Sequence, residues 1–196
     1  FTILNVAILI SGSGSNMLNL IDDMAGSHPA RVRLVLSNTL KSTGISKALL
    51  RGVAAKVVDY QTFKKDRAAF DLELQNQLIH HEIDLILLAG FMHILGRNFI
   101  VGWKGRILNI HPSLLPKYKG LNTHQRVIDA GENETGCTVH EVVTDLDSGR
   151  ILGQSYVKVL SDETALSLAK RVLVQEHLLY PKIVRNFIHE FSTRNC

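Results

Sequence analysis

The chain has 196 residues, 45% of them hydrophobic and 20% charged, and a formal net charge of +4. That is room for one domain with a sizeable core, and the longest apolar windows, such as 85–89, are far too short to cross a bilayer. Basic residues such as Arg31, Arg33, Lys64, Lys65, Lys117, Lys119 and Arg185 are scattered without an aromatic-interleaved stripe, so neither a nucleic-acid nor a membrane partner is expected.

Residues 6–10 read as a buried strand and 16–24 as a helix, with a Gly/Ser loop between them. A second strand follows at 32–36, a short helix at 45–51 between Gly44 and Gly52, and a third strand at 55–58. Within 66–81, Phe70, Leu74, Leu78 and His81 fall at helical spacing. Residues 85–88 are entirely apolar, as a central parallel strand should be. A short helix is expected at 99–103, a fifth strand at 107–110 and a helix at 122–130. The pattern then changes: 137–143 and 151–160 read as a strand pair joined by the turn-rich 145–149. Asp162 is expected to cap a final helix from 163 to about 187, with a kink or break at Pro181. This order predicts an α/β domain spanning 1–196: an open, mostly parallel, doubly wound sheet with an antiparallel C-terminal strand extension and a long C-terminal helix.

The stretch 107–116 is the richest in chemistry. Asn109 and His111 stand two apart in an apolar run, so on a strand they point to one face. Pro112 ends the ladder because it has no N–H to give. An amide and an imidazole delivered together at a strand end are suited to polarising one carbonyl. Polar residues satisfied by neighbouring loops are the plain alternative, and the proline-bracketed turn at 112–116 favours a site.

Ser11-Gly12-Ser13-Gly14-Ser15-Asn16 links a strand to a helix whose N-terminus offers free N–H groups to an anion. Met17 stands where a dinucleotide fingerprint needs a third glycine, and a P-loop Lys is missing. The phosphate of a single sugar or nucleotide is therefore favoured over a plain tight turn. Gly90 opens a turn after the fourth strand, where Phe91, Met92, Ile94 and Leu95 suit the wall of a flat ligand, with core packing the plain alternative for Phe91 and Leu95. For His93 the plain reading is a solvent-facing position. Asp145 and Asp147 lie in one loop, and spacing alone does not say which carboxylate reaches His111. The other histidines show no metal-ligand spacing, so no metal is expected, and no G-x-S-x-G elbow is present. Cys137 and Cys196 give neither a disulfide framework nor a metal pattern, and the N-terminal apolar run is too short for a signal peptide, so a cytoplasmic setting is expected.

Together these blocks resemble the glycinamide ribonucleotide transformylase (phosphoribosylglycinamide formyltransferase) family over 6 to about 187. The matching pieces are 10–12 with Gly14-Ser15-Asn16, then 88–92, then 108–116 with Lys119-Gly120, then Thr138-Val139-His140, Asp147-x-Gly149 and Gln175-Glu176-His177-x-x-Tyr180-Pro181. The resemblance implies a Rossmann-like formyltransferase sheet, with phosphate bound by the half at about 1–100 and catalysis and folate served by the half at about 101–190. It implies catalytic Asn109, His111 and Asp147; ribonucleotide contacts at Gly14, Ser15, Asn16 and Glu176; and folate contacts at Arg67, Met92, His93, Ile94, Leu95 and Asn109. Position 93 is often Arg in the family and is His here, which matters only if the side-chain charge does. The implied reaction passes a formyl group from the co-substrate 10-formyltetrahydrofolate to the amine of glycinamide ribonucleotide, in a monomer or homodimer.

Three other readings compete. A methionyl-tRNA formyltransferase usually carries a further RNA-binding domain, for which the chain leaves no room. A formyltetrahydrofolate deformylase usually carries an N-terminal regulatory domain. A non-catalytic folate- or nucleotide-binding module would not be expected to carry Asn109, His111 and Asp147 together.

Overall fold

In the computed structural model, which describes residues 3–194, β-branched and leucine-rich runs form seven strands of one sheet. These are β1 (Leu4–Ile10), β2 (Ala30–Ser37), β3 (Ala54–Val57), β4 (Leu85–Leu88), β5 (Ile107–His111), β6 (Glu134–Glu141) and β7 (Ile151–Lys158). The helices are α1 (Ser15–Asp23), α2 (Gly44–Leu50), α3 (Arg67–His80), α4 (Arg97–Gly102), α5 (Thr123–Asp129) and α6 (Ala165–Arg194), with a 3-10 turn at Tyr60–Phe63. Cys196 lies outside the described residues.

The strand order is β3-β2-β1-β4-β5-β6-β7. Strands β1 to β5 pair in parallel, while β6 and β7 add antiparallel, as the change of pattern after the fifth strand predicts. Alternation along β1 explains why both faces carry helices. Val6, Ile8 and Ile10 pack with α1, α2, α5 and α6, whereas Ala7 and Leu9 pack with α3 and α4. Each fully buried Leu or Ile of these two cores stabilises by about 1.5–3 kcal/mol before entropy is counted. The chain builds outward from β1 to β2 and β3, then returns to place β4 on the other side of β1. Strand order reverses there, and the crevice beyond the carboxyl ends of β1 and β4 is where an open α/β sheet binds ligands.

The C-terminal helix departs from expectation in two ways. Thr164, not Asp162, caps it: Thr164 Oγ1 accepts from the Ser167 amide at 3.1 Å, and Ser167 Oγ accepts from the Thr164 amide at 3.1 Å. The short Ser167 does the work a Glu usually does, which is why the charge-based choice of cap misses. The helix also runs through Pro181 to Arg194 without a break. Pro181 has no N–H for the His177 carbonyl, but Asn19 Nδ2 of α1 donates to that oxygen at 2.5 Å. A neighbouring helix thus restores the bond that the proline removes.

Candidate active site

The loop after β1 is shaped by two glycines. Gly14 takes the left-handed conformation (φ 75°), and a Cβ there would meet Met17 Cε at 2.8 Å and Gly44 Cα at 3.2 Å. As the residue preceding α1 it contributes no capping side chain, so the first-turn amides of the helix stay open to a ligand. The Gly12 carbonyl is held by the Gly44 amide at 3.1 Å and Ser42 Oγ at 2.8 Å. Beneath the loop, Asn16 and Glu176 are both buried and face each other, Asn16 Nδ2 to Glu176 Oε1 at 3.4 Å. Asn16 Oδ1 is buried with no hydrogen-bond partner. Burial raises the Glu176 carboxyl to about 7, against a lowering pull from the Asn16 contact.

The loop after β4 is tied to the loop after β1. The Ser11 amide donates to the Gly90 carbonyl at 3.1 Å, and Ser11 Oγ accepts from the Met92 amide at 2.7 Å while donating to Asn38 Oδ1 at 2.5 Å. Met92 and Ile94 are exposed, whereas Leu95 sits in the core. The His93 side chain is only 7% exposed and turns inward onto Asp71, which corrects the solvent-facing reading. The reason is non-local: Asp71 of α3 and the rings of Tyr60 and Phe70 offer the imidazole an inner site. Arg67, the first residue of α3, lies beside this loop, its Cδ 3.8 Å from where a Gly96 Cβ would be.

At the end of β5, Asn109 and His111 point to one face as their spacing predicts. Antiparallel pairing sets Asn109 opposite His140 and His111 opposite Thr138. Asn109 Nδ2 lies 3.2 Å from His140 Nε2, and His140 Nδ1 lies 3.0 Å from the Glu141 carbonyl. A carbonyl only accepts, so His140 carries its proton on Nδ1 and accepts from Asn109 at Nε2. Burial pushes the His140 pKa down, consistent with that neutral tautomer. The 3.7 Å approach of Asp147 Oδ1 to His140 pulls the other way and is outweighed by desolvation.

His111 is buried between two acceptors. Its Nε2 faces the Tyr118 carbonyl at 2.9 Å and its Nδ1 faces Asp147 Oδ2 at 3.6 Å. The Nε2 contact is a hydrogen bond, in which the carbonyl accepts and the ring nitrogen donates, whereas Asp147 stands at ion-pair distance. The choice between two loop carboxylates is resolved in favour of Asp147, which stands between His111 and His140. Asp147 itself is left-handed (φ 48°), and its Oδ2 accepts from the Gly120 amide at 2.8 Å. A Cβ at Gly149 would collide with the Glu141 carbonyl, so the glycine lets this loop fold back on β6. Thr138 holds the turn after β5: its Oγ1 donates to the Ser113 carbonyl at 2.7 Å and accepts from the Leu115 amide at 3.1 Å.

His140 is the residue that sequence reasoning did not place in the site. The resemblance block Thr138-Val139-His140 contains it but gives it no role; what brings it in is cross-strand pairing with Asn109, 31 positions away, which no local spacing exposes. His124, at the start of α5, also joins the neighbourhood, its pKa lowered by burial and then by His111. Among the described residues, no group of three or more His, Cys, Asp or Glu is placed to hold a metal ion. The arrangement offers two polarising groups, Asn109 and His111, beside a carboxylate, with the loop after β4 next to them and the glycine loop after β1 beyond it.

Residues 4–184 match the model of the formyl transferase family. The phosphoribosylglycinamide formyltransferase of Escherichia coli (strain K12) is 38% identical over 185 residues, which cover 94% of this chain and 87% of that protein. The trifunctional purine biosynthetic protein adenosine-3 of Chironomus tentans is 43% identical over 186 residues, covering 92% of this chain, and the chain spans only 13% of that relative's length. Among solved structures, glycinamide ribonucleotide transformylase 1 from Symbiobacterium toebii superposes with a TM-score of 0.92 at 36% identity, covering 96% of this chain and 89% of that one. Phosphoribosylglycinamide formyltransferase from Brucella melitensis gives 0.90 at 44% identity, with 95% and 96% covered.

Proposed function

The chain belongs to the phosphoribosylglycinamide formyltransferase family, and on that premise we propose that it transfers a formyl group from 10-formyltetrahydrofolate to the amine of glycinamide ribonucleotide, a step of purine biosynthesis. The observation that carries this reading is the convergence of Asn109, His111 and Asp147 at the end of β5, next to the loop after β4. The ribonucleotide phosphate sits on the open amides at Gly14, Ser15 and Asn16, and Glu176 with the unpartnered Asn16 Oδ1 takes ribose hydroxyls. The folate lies along the exposed Met92 and Ile94, within reach of backbone at His93 and Leu95 and of Arg67.

Held in this way, the amine attacks the formyl carbon directly. The second amide hydrogen of Asn109, the one not given to His140, donates to the oxygen that gains charge. His111 donates to the same oxygen once its Nε2–H leaves the Tyr118 carbonyl. Asp147 orients the His111 ring and relays the proton that the attacking amine loses, directly or through water, to the folate nitrogen, which leaves as tetrahydrofolate when the oxyanion collapses and the C–N bond to the old formyl carrier breaks. No covalent enzyme intermediate is needed, because both reactants are held in attack geometry.

Tetrahydrofolate release measured with and without glycinamide ribonucleotide tests the reading. Release that depends on the ribonucleotide is expected. Equal release without it makes the chain a hydrolase, and release only with a charged initiator tRNA makes that tRNA the acceptor.

A further inference from the structure

The inward turn of His93 has no role in the chemistry above, yet it is built with care. Its ring packs against Tyr60 and Phe70, with centroids 4.6 and 4.5 Å away, and against Phe91 at 6.0 Å. In this apolar cage lies the Asp71 carboxylate, 10% exposed. One Asp71 oxygen, Oδ2, accepts from the Gly96 amide at 2.7 Å. The other, Oδ1, is buried without a hydrogen-bond partner, as is His93 Nε2, and these two atoms face each other at 3.5 Å. A carboxylate withdrawn from water is costly unless something answers its charge, and His93 is the group placed to do so. Gly96 is required beside it, since a Cβ there would lie 2.5 Å from Asp71 Oδ2.

These contacts sit at fixed points of one loop. The Met92 amide is held by Ser11 Oγ at 2.7 Å, His93 by Asp71, and the Gly96 amide by Asp71 again. With the loop held at these points, Met92 and Ile94 face out, 68% and 58% exposed, although both are large apolar side chains. We propose that His93 is a positioning residue: by locking onto Asp71 it fixes the loop 90–96 so that Met92 and Ile94 and the backbone between them form a rigid wall for the formyl donor. The inference rests on the folate side of the function proposed above. It assigns the side chain at this position to the inside of the protein, not to the ligand.

The variants His93→Leu and His93→Gln separate bulk from donor. Leucine fills the cage without answering the carboxylate, whereas the glutamine amide reaches the place of Nε2. Hydrogen exchange of the ligand-free enzyme is read at Ile94, Leu95 and Gly96. Exchange at these amides should rise about tenfold or more in His93→Leu and return toward wild type in His93→Gln. The KM for 10-formyltetrahydrofolate should rise about tenfold in His93→Leu, with kcat and the ribonucleotide KM within about twofold. Unchanged exchange in His93→Leu overturns the clamp, whatever the activity. Faster exchange with an unchanged donor KM, or an equal loss in both substrates, overturns its link to the donor wall. If the wild type transfers no formyl group, the proposed function fails while the exchange result still decides the clamp.

Discussion

The loop between β1 and α1 presents backbone, whereas the end of β5 presents side chains. At Gly14 the groups left open are amides, which the proposed function gives to the phosphate, and glycine is needed because a Cβ would strike Met17 and Gly44. At Asn109 and His111 the groups to which the proposed function assigns the chemistry are an amide and an imidazole, each oriented by a partner from a distant strand or loop. Backbone donors have a fixed charge pattern, so the first region can hold an anion but has no means of moving a proton. Side chains with alternative protonation states can do so, but only if something fixes their tautomers. That is why the second region carries the denser set of supporting contacts: His140, the Glu141 carbonyl, the Gly120 amide and Thr138.

The comparison breaks most visibly at His111. Replacing it with Ala should cost at least ~10²–10³ in kcat while both substrates still bind, the typical loss for one oxyanion donor. Asp147→Asn should lose less. The double variant should be little worse than His111→Ala alone, because groups that act as a unit are not additive. Steady-state kinetics on the three variants checks this, and fully additive losses would mean the two residues act separately.

A smaller and opposite effect is expected on the backbone side. Gly14→Val places a β-branched residue at positive φ with too little space, and should raise the KM for the ribonucleotide about tenfold or more, roughly 1.4 kcal/mol. The KM for the formyl donor should barely move. Isothermal titration with each ligand distinguishes this from a general loss of fold, in which both affinities fall together.

How far these regions could be read in advance follows from the same distinction. The strand–helix alternation, the open loop at 11–16 and the shared face of Asn109 and His111 are all local, set by spacing of two or by glycine. Every strand and helix expected from the pattern is present. What escaped was non-local or depended on a short polar side chain. His140 enters through pairing across β5 and β6, His93 turns inward because Asp71 waits on α3, and Thr164 caps α6 through a serine. The 3-10 turn at Tyr60–Phe63, capped by Asp59 Oδ1 accepting from the Gln61 amide at 3.2 Å, likewise has no periodicity to reveal it.

The finest test concerns pH. Burial raises Glu176 from 4.5 to about 7, so between those values the native state binds more protons at this site than the unfolded chain does. Its contribution to stability is therefore complete below about 4.5 and is lost as pH rises through about 7. Glu176→Gln should remove that part of the slope. Thermal melts at pH 5 and pH 8 should show the wild type losing a few °C more than the variant over this interval, about 2–4 °C per kcal/mol. A parallel pH response in the two proteins would rule out Glu176 as the titrating group.

The bond from Asn19 to the His177 carbonyl does more than repair a helix. Asn16 and Asn19 lie one turn apart on α1, and Glu176 and His177 are adjacent on α6. The contact therefore acts as a gauge block between the two helices. It sets the axial offset at which Asn16 meets Glu176, and Pro181, with no N–H of its own, leaves that carbonyl free of a competing donor from its own turn. Another residue at position 181 would share the carbonyl between a donor of its own helix and Asn19, so the reference point between α1 and α6 would be held less tightly.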